Sequence, residues 1–297
     1  MIVVIVNPAA GRGSGGRILG DVESAFSDRA ASRVVTTKAS GDESRLTAEA
    51  LREGARTIVV VGGDGTSSHV AGEILSARSD CSLALIPCGT GNDLAKTLGV
   101  ERATPAEIAG LIARGNTTRI DVGRVDGHHF INSCGFGFDA SVLEASNRIR
   151  FIRGHAVYIY SALSQLFTYR GTDVSANGAP GVKAGRKLMI TVSNGRFLGG
   201  AFKIAPHASV LDGKLDVCFF NDSNVVERVR LFVGAIRGTH IGMRSVSTAS
   251  VDRIALTFPS SPSMEVDGEL RVARSKTVEL QCLPGALSVI AAPGAIV

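Results

Sequence analysis

The sequence predicts an α/β protein in which an N-terminal domain with a parallel sheet precedes a β-rich C-terminal sandwich domain. Up to about residue 125, short runs that are apolar throughout alternate with helical segments, as βαβ units do. From about residue 126 onward, apolar and polar residues mostly alternate, which is typical of an antiparallel sandwich. The aromatic residues divide in the same way, since Phe26 is the only Phe or Tyr before position 130.

Composition excludes several classes of protein. The chain has 297 residues, of which 44% are hydrophobic and 35 are glycines without a collagen-like period. It is therefore a folded chain, long enough for about two domains. Lys and Arg together number 32 against 27 for Asp and Glu. This mildly basic balance suits anionic partners without choosing among nucleotides, nucleic acids and membranes.

Cysteine usage and hydropathy bear on the compartment. The five cysteines include no C-x-x-C pair, so we expect reduced thiols in a cytoplasmic protein rather than a disulfide framework or a zinc site. The apolar N-terminal run is too short for a signal peptide, and no run approaches the ~18 apolar residues that cross a bilayer. We therefore expect contact with a membrane only from the water side.

Two domains are expected, residues 1–125 and 126–297, with the extreme C-terminus free to pack back on the first. The first-domain strands are predicted at Ile2–Val6, Arg33–Thr36, Thr57–Val61 and Leu83–Ile86, and the helices at Arg17–Phe26, Asp42–Glu53, His69–Leu75 and Pro105–Ala113. The second-domain strands are predicted at Leu188–Val192, Leu215–Phe220, Arg253–Phe258, Ser263–Val266 and Thr277–Leu280. Its helices are expected at Ala140–Thr168, broken near Gly154, and at Val225–Thr239, and Gly171–Gly185 is expected to be an exposed loop.

The glycine cluster Gly11–Gly16 follows the first strand and satisfies G-x-G-x-x-G. A dinucleotide fingerprint is disfavoured, because Asn7–Ala10 separates the strand from the glycines and no acidic residue ends the second strand. A Walker A loop is excluded, because Arg17 and Ile18 stand where Lys and Ser or Thr are required. A phosphate-facing turn at a helix N-terminus and a flexible surface turn both stay open.

Glycine-rich turns also follow the third and fourth strands. Gly62–Thr66 places Asp64 among three glycines at the carboxyl edge of a parallel strand, where open α/β sheets bind ligands. In Pro87–Asp93, Thr90 offers a hydroxyl, and Asp93 either caps the next helix or joins a hydrated metal network. Because the three turns would open on one edge of a sheet, they predict a polyphosphate site made mostly of backbone.

Six segments, taken in order, carry a resemblance to a known family. They are Asn7–Gly11, Gly62–Thr66, Pro87–Asp93, Asn132–Ala140, Leu211–Val217 and Val266–Glu269. Together they resemble the diacylglycerol kinase and sphingosine kinase superfamily, in particular its soluble bacterial lipid kinases. The resemblance implies an NAD kinase/diacylglycerol kinase-like fold. It also implies Mg²⁺-dependent transfer of the γ-phosphoryl group of ATP to the hydroxyl of diacylglycerol or a related lipid.

The resemblance further implies roles for individual residues. Glu269 matches the general base, and Asp64 matches the essential aspartate of the glycine-rich motif. The implied nucleotide-binding positions are Asn7, Pro8, Ala9, Ala10, Gly11, Thr37, Gly63, Asp64, Gly65, Thr66 and Thr90. Mg²⁺ held through water would involve Asp64, Asp93 and Asp121. A second, structural Mg²⁺ would involve Ser209, Asp212 and Lys214, partly through backbone carbonyls.

One segment departs from the family pattern. Ser67–His69 stands where the family usually has an apolar residue, Asn and Glu, although Ser68 keeps a hydroxyl able to bind a phosphate. Two alternatives stay open: an NAD kinase-like kinase of a soluble acceptor, and a non-catalytic nucleotide-binding protein. The first is disfavoured because Asn132 is followed by serine rather than glutamate. The second is disfavoured by the presence of both Asp64 and Glu269.

The expected partners are ATP and a membrane lipid, with peripheral contact at the inner membrane surface and no nucleic acid. The oligomeric state is left open, a homodimer included. One basic and aromatic set either docks an anionic membrane or forms a solvated face over a core-facing stripe; it comprises Arg148, Arg150, Arg153, Tyr158, Tyr160, Phe167 and Tyr169. His128 and His129 indicate a solvated turn rather than a metal pair, because adjacent residues cannot share one face of a strand.

Overall fold

The structure is a computed structural model that describes residues 1–27, 32–39, 41–148, 161 and 164–295. The chain divides into two compact units. Unit 1 comprises Met1–Val122, Ser209–Asp212 and Leu283–Val297, and unit 2 comprises Gly123–Ala208 and Gly213–Cys282. The units are therefore not contiguous in sequence, because a short turn and the C-terminal segment group with the N-terminal residues.

Unit 1 contains a parallel sheet. Its strands are β1 (Ile2–Val6), β2 (Ser32–Thr36), β3 (Thr57–Gly62) and β4 (Ser82–Pro87), in the order β2-β1-β3-β4. Val4 lies opposite Val34 on one side and Val59 on the other. Every residue of β3 is buried, which explains why its apolar residues are continuous instead of alternating.

Six helices accompany these strands in the described part of unit 1. They are α1 (Ala10–Arg17), α2 (Leu19–Ser27), α3 (Asp42–Arg52), α4 (Asp64–Ser76), α5 (Asp93–Thr97) and α6 (Pro105–Ala113). A capping box begins α6: Thr104 accepts the N–H of Glu107, whose carboxylate accepts the N–H of Thr104. The strand β5 (Thr117–Val125) follows, and the end of β15 (Thr277–Ile290) adds to β4 in parallel.

Unit 2 is built from antiparallel strands. They are β6 (His128–Phe130), β7 (Ser133–Gly137), β8 (Thr172–Asn177), β9 (Gly185–Ser193), β10 (Leu215–Asn221), β11 (Val246–Val251), β12 (Arg253–Thr257), β13 (Ser263–Val266) and β14 (Glu269–Val272). They run in the order β14-β13-β7-β9, and β9 also pairs with β8 and β10. Phe136, Ile190 and Phe219 are neighbours across three strands in one apolar core. The predicted fold class is confirmed.

Two helices of unit 2 have described bounds, α7 (Phe138–Arg148) and α8 (Val225–Arg237). Residues 164–168 are also helical, and Thr239–Gly242 forms a 3₁₀ turn. Asn224 caps the N-terminus of α8, because its side chain accepts the N–H of Glu227, and Gly238 caps the C-terminus in a left-handed conformation.

The prediction of an exposed loop at Gly171–Gly185 is wrong. The segment contains β8, which pairs with β9 on one side and β12 on the other. Most β8 side chains are partly or fully exposed, so the stretch has no strong hydrophobic pattern. The strand depends on its two partners rather than on its own composition.

The prediction of a solvated turn at His128 and His129 is also wrong. Both residues lie on β6 and are half-buried, and the turn precedes them at Asp126 and Gly127, which have positive φ. Gly123 lies opposite Phe130 in this hairpin. Burial lowers the pKa of His129.

The cysteines are buried with free thiols. Burial raises the pKa of the Cys81 thiol to about 11 and that of Cys218 to about 12, so both are protonated at neutral pH. They therefore pack as small apolar groups. In the part of the chain that the structure describes, no helix is both long enough and apolar enough to span a bilayer.

Candidate functional site

The glycine turns after β1, β3 and β4 meet at one edge of the unit 1 sheet. A side chain at Gly89 would place its Cβ 2.5 Å from the Cα of Gly63. A side chain at Gly11 would place its Cβ 1.8 Å from the carbonyl oxygen of Cys88. Backbone packing between turns therefore requires these glycines, and the edge that they form is made mostly of main chain.

Asn7 lies at the end of β1 and organises the first turn. Its side-chain amide donates to Oγ1 of Thr66 at 3.0 Å, and its Oδ1 accepts the N–H of Ala9 at 3.1 Å. A Cβ at Gly15 would lie 2.1 Å from the Asn7 carbonyl oxygen. The run Gly11–Gly13 has φ values of 56°, 59° and 89°, which interrupt α1. The first glycine cluster is therefore a tightly wound turn that packs on its neighbours.

Helix α4 begins at Asp64, five residues before the start predicted at His69. The polar run Gly65–Ser68 forms its first turn, and buried apolar residues at helical spacing begin only at Val70. The hydrophobic pattern therefore does not reveal the first turn. A helix that starts here directs its unpaired N–H groups and its positive dipole end toward the glycine edge, which favours an anion there.

The residues that depart from the family pattern make structural contacts in unit 1. The hydroxyl of Ser67 donates to the carbonyl of Gly63 at 3.1 Å. Nδ1 of His69 lies 2.6 Å from Oε1 of Glu43, a buried residue of α3. Ser68 is half-buried on α4. Ser67 therefore bonds within the first turn of α4, and His69 connects α4 to α3.

The carboxylate of Asp64 joins the second glycine turn to the third. Its Oδ2 accepts the N–H of Asn92 and its Oδ1 accepts the N–H of Asp93, both at 2.6 Å. Asp64 thereby supplies the cap of α5, whose N-cap residue Asn92 is left-handed and makes no side-chain cap bond. Burial, followed by the charge of Asp93, raises the pKa of Asp64.

Asp93 and Asn92 present further oxygen atoms beside Asp64. Asp93 does not cap α5; its buried carboxylate lies 3.1 Å from Nζ of Lys96. Oδ1 of Asn92 is buried and has no hydrogen-bond partner. Carboxylate and amide oxygens are the hard donors that Mg²⁺ takes while it keeps several waters. Among the described residues, no group of three or more His, Cys, Asp or Glu side chains that could hold a metal ion is found.

The other predicted nucleotide-binding residues lie at or near this edge. Asn7–Gly11, which includes Pro8, Ala9 and Ala10, is partly exposed at the end of β1, and Thr90 is exposed in the third turn. Thr37 follows β2, is buried, and donates its N–H to the carbonyl of Val6 at 2.9 Å. The predicted nucleotide-binding residues of unit 1 therefore all follow the carboxyl ends of its four parallel strands.

Asp121 lies buried on β5, within unit 1. Its Oδ1 accepts the N–H of Gly285 at 2.8 Å, and Nε of Arg119 donates to the Gly285 carbonyl at 2.8 Å. Gly285 has a φ of 57° within β15, which continues from the predicted end at Leu280 to Ile290. The predicted end of this strand at Leu280 is therefore wrong. The pair Pro284-Gly285 indicates a turn, but the side chains of Asp121 and Arg119 hold Gly285 within the strand.

The residues predicted to hold a structural metal form a tight turn. Ser209 and Asp212 belong to unit 1, and Lys214 belongs to unit 2. Oγ of Ser209 accepts the N–H of Leu211 at 3.3 Å, and Gly213 has a φ of 72°. Asp212 and Lys214 are exposed. The left-handed conformation of Gly213 explains the turn. The structural Mg²⁺ at this turn stays a prediction from the sequence.

Glu269 opens β14 in unit 2, directly after the hairpin turn of Asp267 and Gly268. The φ values of these two turn residues are 46° and 90°, as in a type I′ hairpin. The Glu269 side chain is 37% exposed and forms an ion pair with Arg271 on the same face of the strand. A carboxylate with this exposure is accessible to a ligand, as a general base must be.

Asp267 has a structural role behind Glu269. Its buried carboxylate accepts the N–H groups of Ile131, Asn132 and Ser133 at 2.7, 2.9 and 3.0 Å. Its own N–H donates to the carbonyl of Ser133 at 3.0 Å. Asp267 therefore anchors the hairpin that carries Glu269 to the segment before β7.

Sequence reasoning missed Glu265, a buried acidic residue of β13. One of its carboxylate oxygens accepts the N–H of Gly268, and the other is buried without a partner. Burial, followed by the charge of Asp139, raises the pKa of Glu265 well above its usual value. A Cβ at Gly135 would lie 2.1 Å from Oδ2 of Asp139. No sequence signal marked it, because Glu265 alternates with the buried residues Met264 and Val266, and such alternation predicts an exposed side chain.

Glu265 belongs to a buried polar face of the unit 2 sheet. Thr191 lies opposite Gly135, which lies opposite Glu265, across three strands. Ser133 and Ser193 form the next pair on this face. The hydroxyls of Thr191, Ser133 and Ser193 are buried without hydrogen-bond partners. Such groups normally bind water or a polar ligand, so this face is suited to hold one.

Unit 2 also contains an apolar cavity of about 70 Å³ beside α8. Aromatic and aliphatic side chains line it, among them Phe220 and Leu231, together with the charged residues Asp139 and Arg228. Arg228 is held by Asp222 at 2.7 Å. A lining of this kind suits hydrocarbon better than a polar solute.

Most of the basic and aromatic set, for which the sequence left membrane docking and a solvated face open, lies outside the described residues. These are Arg150, Arg153, Tyr158 and Tyr160, together with the side chain of Arg148. Phe167 is exposed, whereas Tyr169 packs edge-on against Phe138. The helix predicted over Ala140–Thr168 is described only as α7 and residues 164–168.

Both parts of the chain match known family models. Residues 1–125 match the model described as the diacylglycerol kinase catalytic domain. Residues 132–291 match the model described as the YegS C-terminal NAD kinase beta sandwich-like domain. The two matches follow the order in which the sequence motifs occur.

Relatives and solved structures agree with these matches. The chain is 28% identical over 269 residues to a Bacillus subtilis protein named diacylglycerol kinase. This alignment covers 90% of this chain and 88% of that protein. It is 32% identical over 274 residues to a Pseudomonas putida protein named as a YegS-like lipid kinase, with 90% and 89% covered. A Bacillus anthracis crystal structure described as a diacylglycerol kinase aligns with a TM-score of 0.79 at 25% identity, over 99% of this chain and 96% of that chain.

Proposed function

This chain belongs to the diacylglycerol kinase family and is a lipid kinase, and from that premise we propose that it transfers the γ-phosphoryl group of ATP to the hydroxyl of diacylglycerol or a related lipid. The observation that carries the proposal is the pair of hydrogen bonds from Asn92 and Asp93 to the carboxylate of Asp64. They join two glycine turns into one edge, beside the N-terminus of α4. That edge suits a polyphosphate, because it offers backbone N–H groups and little steric bulk.

Mg²⁺ is part of the proposal. Asp64, Asp93 and Oδ1 of Asn92 would hold it with water, and when bound it would neutralise phosphate charge. Asp121 would join through water, and a structural Mg²⁺ at Ser209, Asp212 and Lys214 rests on the sequence motif alone. The contribution of unit 1 is to orient the phosphates and to keep these acidic groups together.

We assign the acceptor side of the reaction to unit 2. An alcohol is a weak nucleophile until its proton is removed, so a carboxylate should accept that proton as the phosphorus–oxygen bond forms. Glu269 is the candidate, because it is accessible and because Asp267 anchors the hairpin that carries it. The apolar cavity lined by Phe220 and Leu231 supports a lipid acceptor over a soluble one. The lipid would be reached from the water side at the inner membrane surface.

The test is transfer of radiolabelled γ-phosphate from ATP to a panel of hydroxylated lipids in mixed micelles. The panel contains diacylglycerol, a sphingoid base and phosphatidylglycerol, with NAD as a soluble acceptor. We expect Mg²⁺-dependent label in a lipid product, and loss of it in Asp64→Ala. Asp21→Ala, which changes an exposed carboxylate of α2, serves as the matched control and should retain activity. Label in NAD alone, or ATP binding with no transfer to any acceptor, would overturn the proposal.

A further inference from the structure

Helix α8 of unit 2 presents apolar side chains to solvent. Val226, Val229, Val233 and Ile236 are 63%, 42%, 47% and 44% exposed. Their spacing of three, four and three residues places them in one line along the helix. We call these four residues the outer stripe. A continuous apolar stripe of this kind marks a surface that contacts something other than water.

Basic side chains accompany the outer stripe. Arg230 and Arg237 are exposed on the same helix. The exposed residue Lys203 donates its N–H to a carbonyl in the last turn of α8, and Arg244 is exposed shortly after the helix. The one acidic residue of α8, Glu227, pairs with Arg230 at 3.7 Å. The charge beside the outer stripe is therefore positive.

The opposite face of α8 holds the helix in place. Leu231 and Ala235 are buried in an apolar cluster with Phe220, and both line the cavity. Arg228 is buried and donates to the carbonyls of Leu166 and Tyr169 at 2.9 Å. Because these contacts anchor the helix, the outer stripe is not needed to hold it in the fold.

We propose that the outer stripe, with Arg230 and Arg237, docks this lipid kinase on the surface of a bilayer that contains anionic lipid. The proposal rests on the proposed function, because the acceptor lipid resides in a bilayer. The valine and isoleucine side chains enter the boundary between headgroups and acyl chains, and the guanidinium groups pair with lipid phosphates. The inner face of the same helix lines the apolar cavity, so docking brings that cavity next to the lipid.

The test is flotation with vesicles of equal parts phosphatidylcholine and phosphatidylglycerol, and with vesicles of phosphatidylcholine alone. The variant Val226→Ser/Val229→Ser/Val233→Ser should bind the anionic vesicles at least about tenfold more weakly than the wild type, because buried CH₂ groups are lost from the bilayer. Arg230→Gln and Arg237→Gln should each weaken that binding about fivefold. The matched control is Val272→Ser, which removes a valine that is 69% exposed on β14. This variant should bind both kinds of vesicle as the wild type does.

Phosphorylation of a short-chain diacylglycerol in detergent separates this proposal from the proposed function. The triple variant should keep wild-type activity there and lose activity on the anionic vesicles, with an unchanged thermal unfolding transition. If no lipid is phosphorylated in detergent, the proposed function fails. If the wild type phosphorylates lipid but the triple variant binds vesicles as well as the wild type, the docking proposal is overturned. It is also overturned if the wild type binds both vesicle types equally, or if the triple variant changes only the oligomeric state in sedimentation velocity.

Discussion

Oδ1 of Asp64 accepts the backbone N–H of Asp93 at 2.6 Å, and this bond ties the end of β3 to the start of α5. The same carboxylate accepts the N–H of Asn92 through its other oxygen. One side chain therefore holds two glycine turns together and also brings a negative charge to their edge. A substitution that keeps the size of this side chain separates its structural role from the role in catalysis that we propose for it.

We expect Asp64→Asn to lower kcat by at least about 100-fold, the scale of losing one preorganised electrostatic group. It should also lower the free energy of unfolding by about 1–3 kcal/mol, because the amide directs a donor at one of the two N–H groups. Thr104→Ala is the control, since it removes the cap of α6, costs about 1 kcal/mol and should leave kcat unchanged. Urea unfolding and initial-rate kinetics measure both quantities. Equal kcat values for the two variants would contradict a catalytic role for Asp64.

Glu269→Gln should lower kcat by about 10² to 10⁴, because a general base supplies rate of that order. The Kd for ATP and the free energy of unfolding should stay near those of the wild type, since the side chain is exposed at the start of β14. Glu279→Gln, at an exposed carboxylate of β15, is the matched control. Single-turnover transfer and ATP titration test this, and a near-normal kcat would remove Glu269 as the base.

Glu265 should make stability depend on pH. Burial raises its pKa well above 4.5, so the folded state binds more protons than the unfolded state does. Its contribution to stability is therefore lost as the pH rises above the unfolded value of about 4.5 toward the raised folded value. We expect Glu265→Gln to flatten the free energy of unfolding between about pH 5 and pH 8, with the benefit largest at the upper end. Urea unfolding across that range, with Glu279→Gln as control, checks the sign; a steeper dependence in Glu265→Gln would contradict it.

Asp267→Asn should destabilise the protein by about 2–4 kcal/mol, because three buried N–H groups share its carboxylate. Asn tolerates the left-handed backbone at this position, so the loss reports the hydrogen bonds rather than strain. Asp126→Asn is a close control: Asp126 is also left-handed in a hairpin turn, but its carboxylate accepts one exposed N–H, from Arg274. That variant should change stability by only about 0.5 kcal/mol. If both variants lose the same free energy of unfolding, the three hydrogen bonds to Asp267 do not stabilise the fold.

Gly89→Ala should raise the KM for ATP and destabilise unit 1, because the added Cβ would lie 2.5 Å from the Cα of Gly63 and 2.7 Å from Oδ1 of Asn92. The turns must separate to accept it. Gly72→Ala, in the interior of α4, has open space around the new Cβ and should stabilise the protein by about 0.5–1 kcal/mol. Thermal unfolding and steady-state kinetics compare the two. A neutral Gly89→Ala would contradict the close packing of the turns.

Strands β1, β3 and β4 could be predicted to within one residue at each end, because each is a buried apolar run that ends at a glycine or proline turn. Strand β8 could not be predicted, because its pairing with β9 and β12 outweighs a composition typical of loops. The start of α4 was missed because its first turn is polar. These failures share one cause, since local composition and final structure agree only where burial follows the local pattern.

The sequence by itself determined the two-domain α/β class, the family, the three glycine turns and the choice of Asp64 and Glu269 as candidates. Each depends on information within a short window: hydrophobic period, the backbone freedom of glycine, and ordered motifs. Only the tertiary structure decided that Asp64 caps α5, that Asp121 holds Gly285 within β15, and that Glu265 is buried. These are contacts between residues up to 164 positions apart. Such contacts depend on how distant segments pack in the folded chain, so no pattern within a short stretch of sequence predicts them.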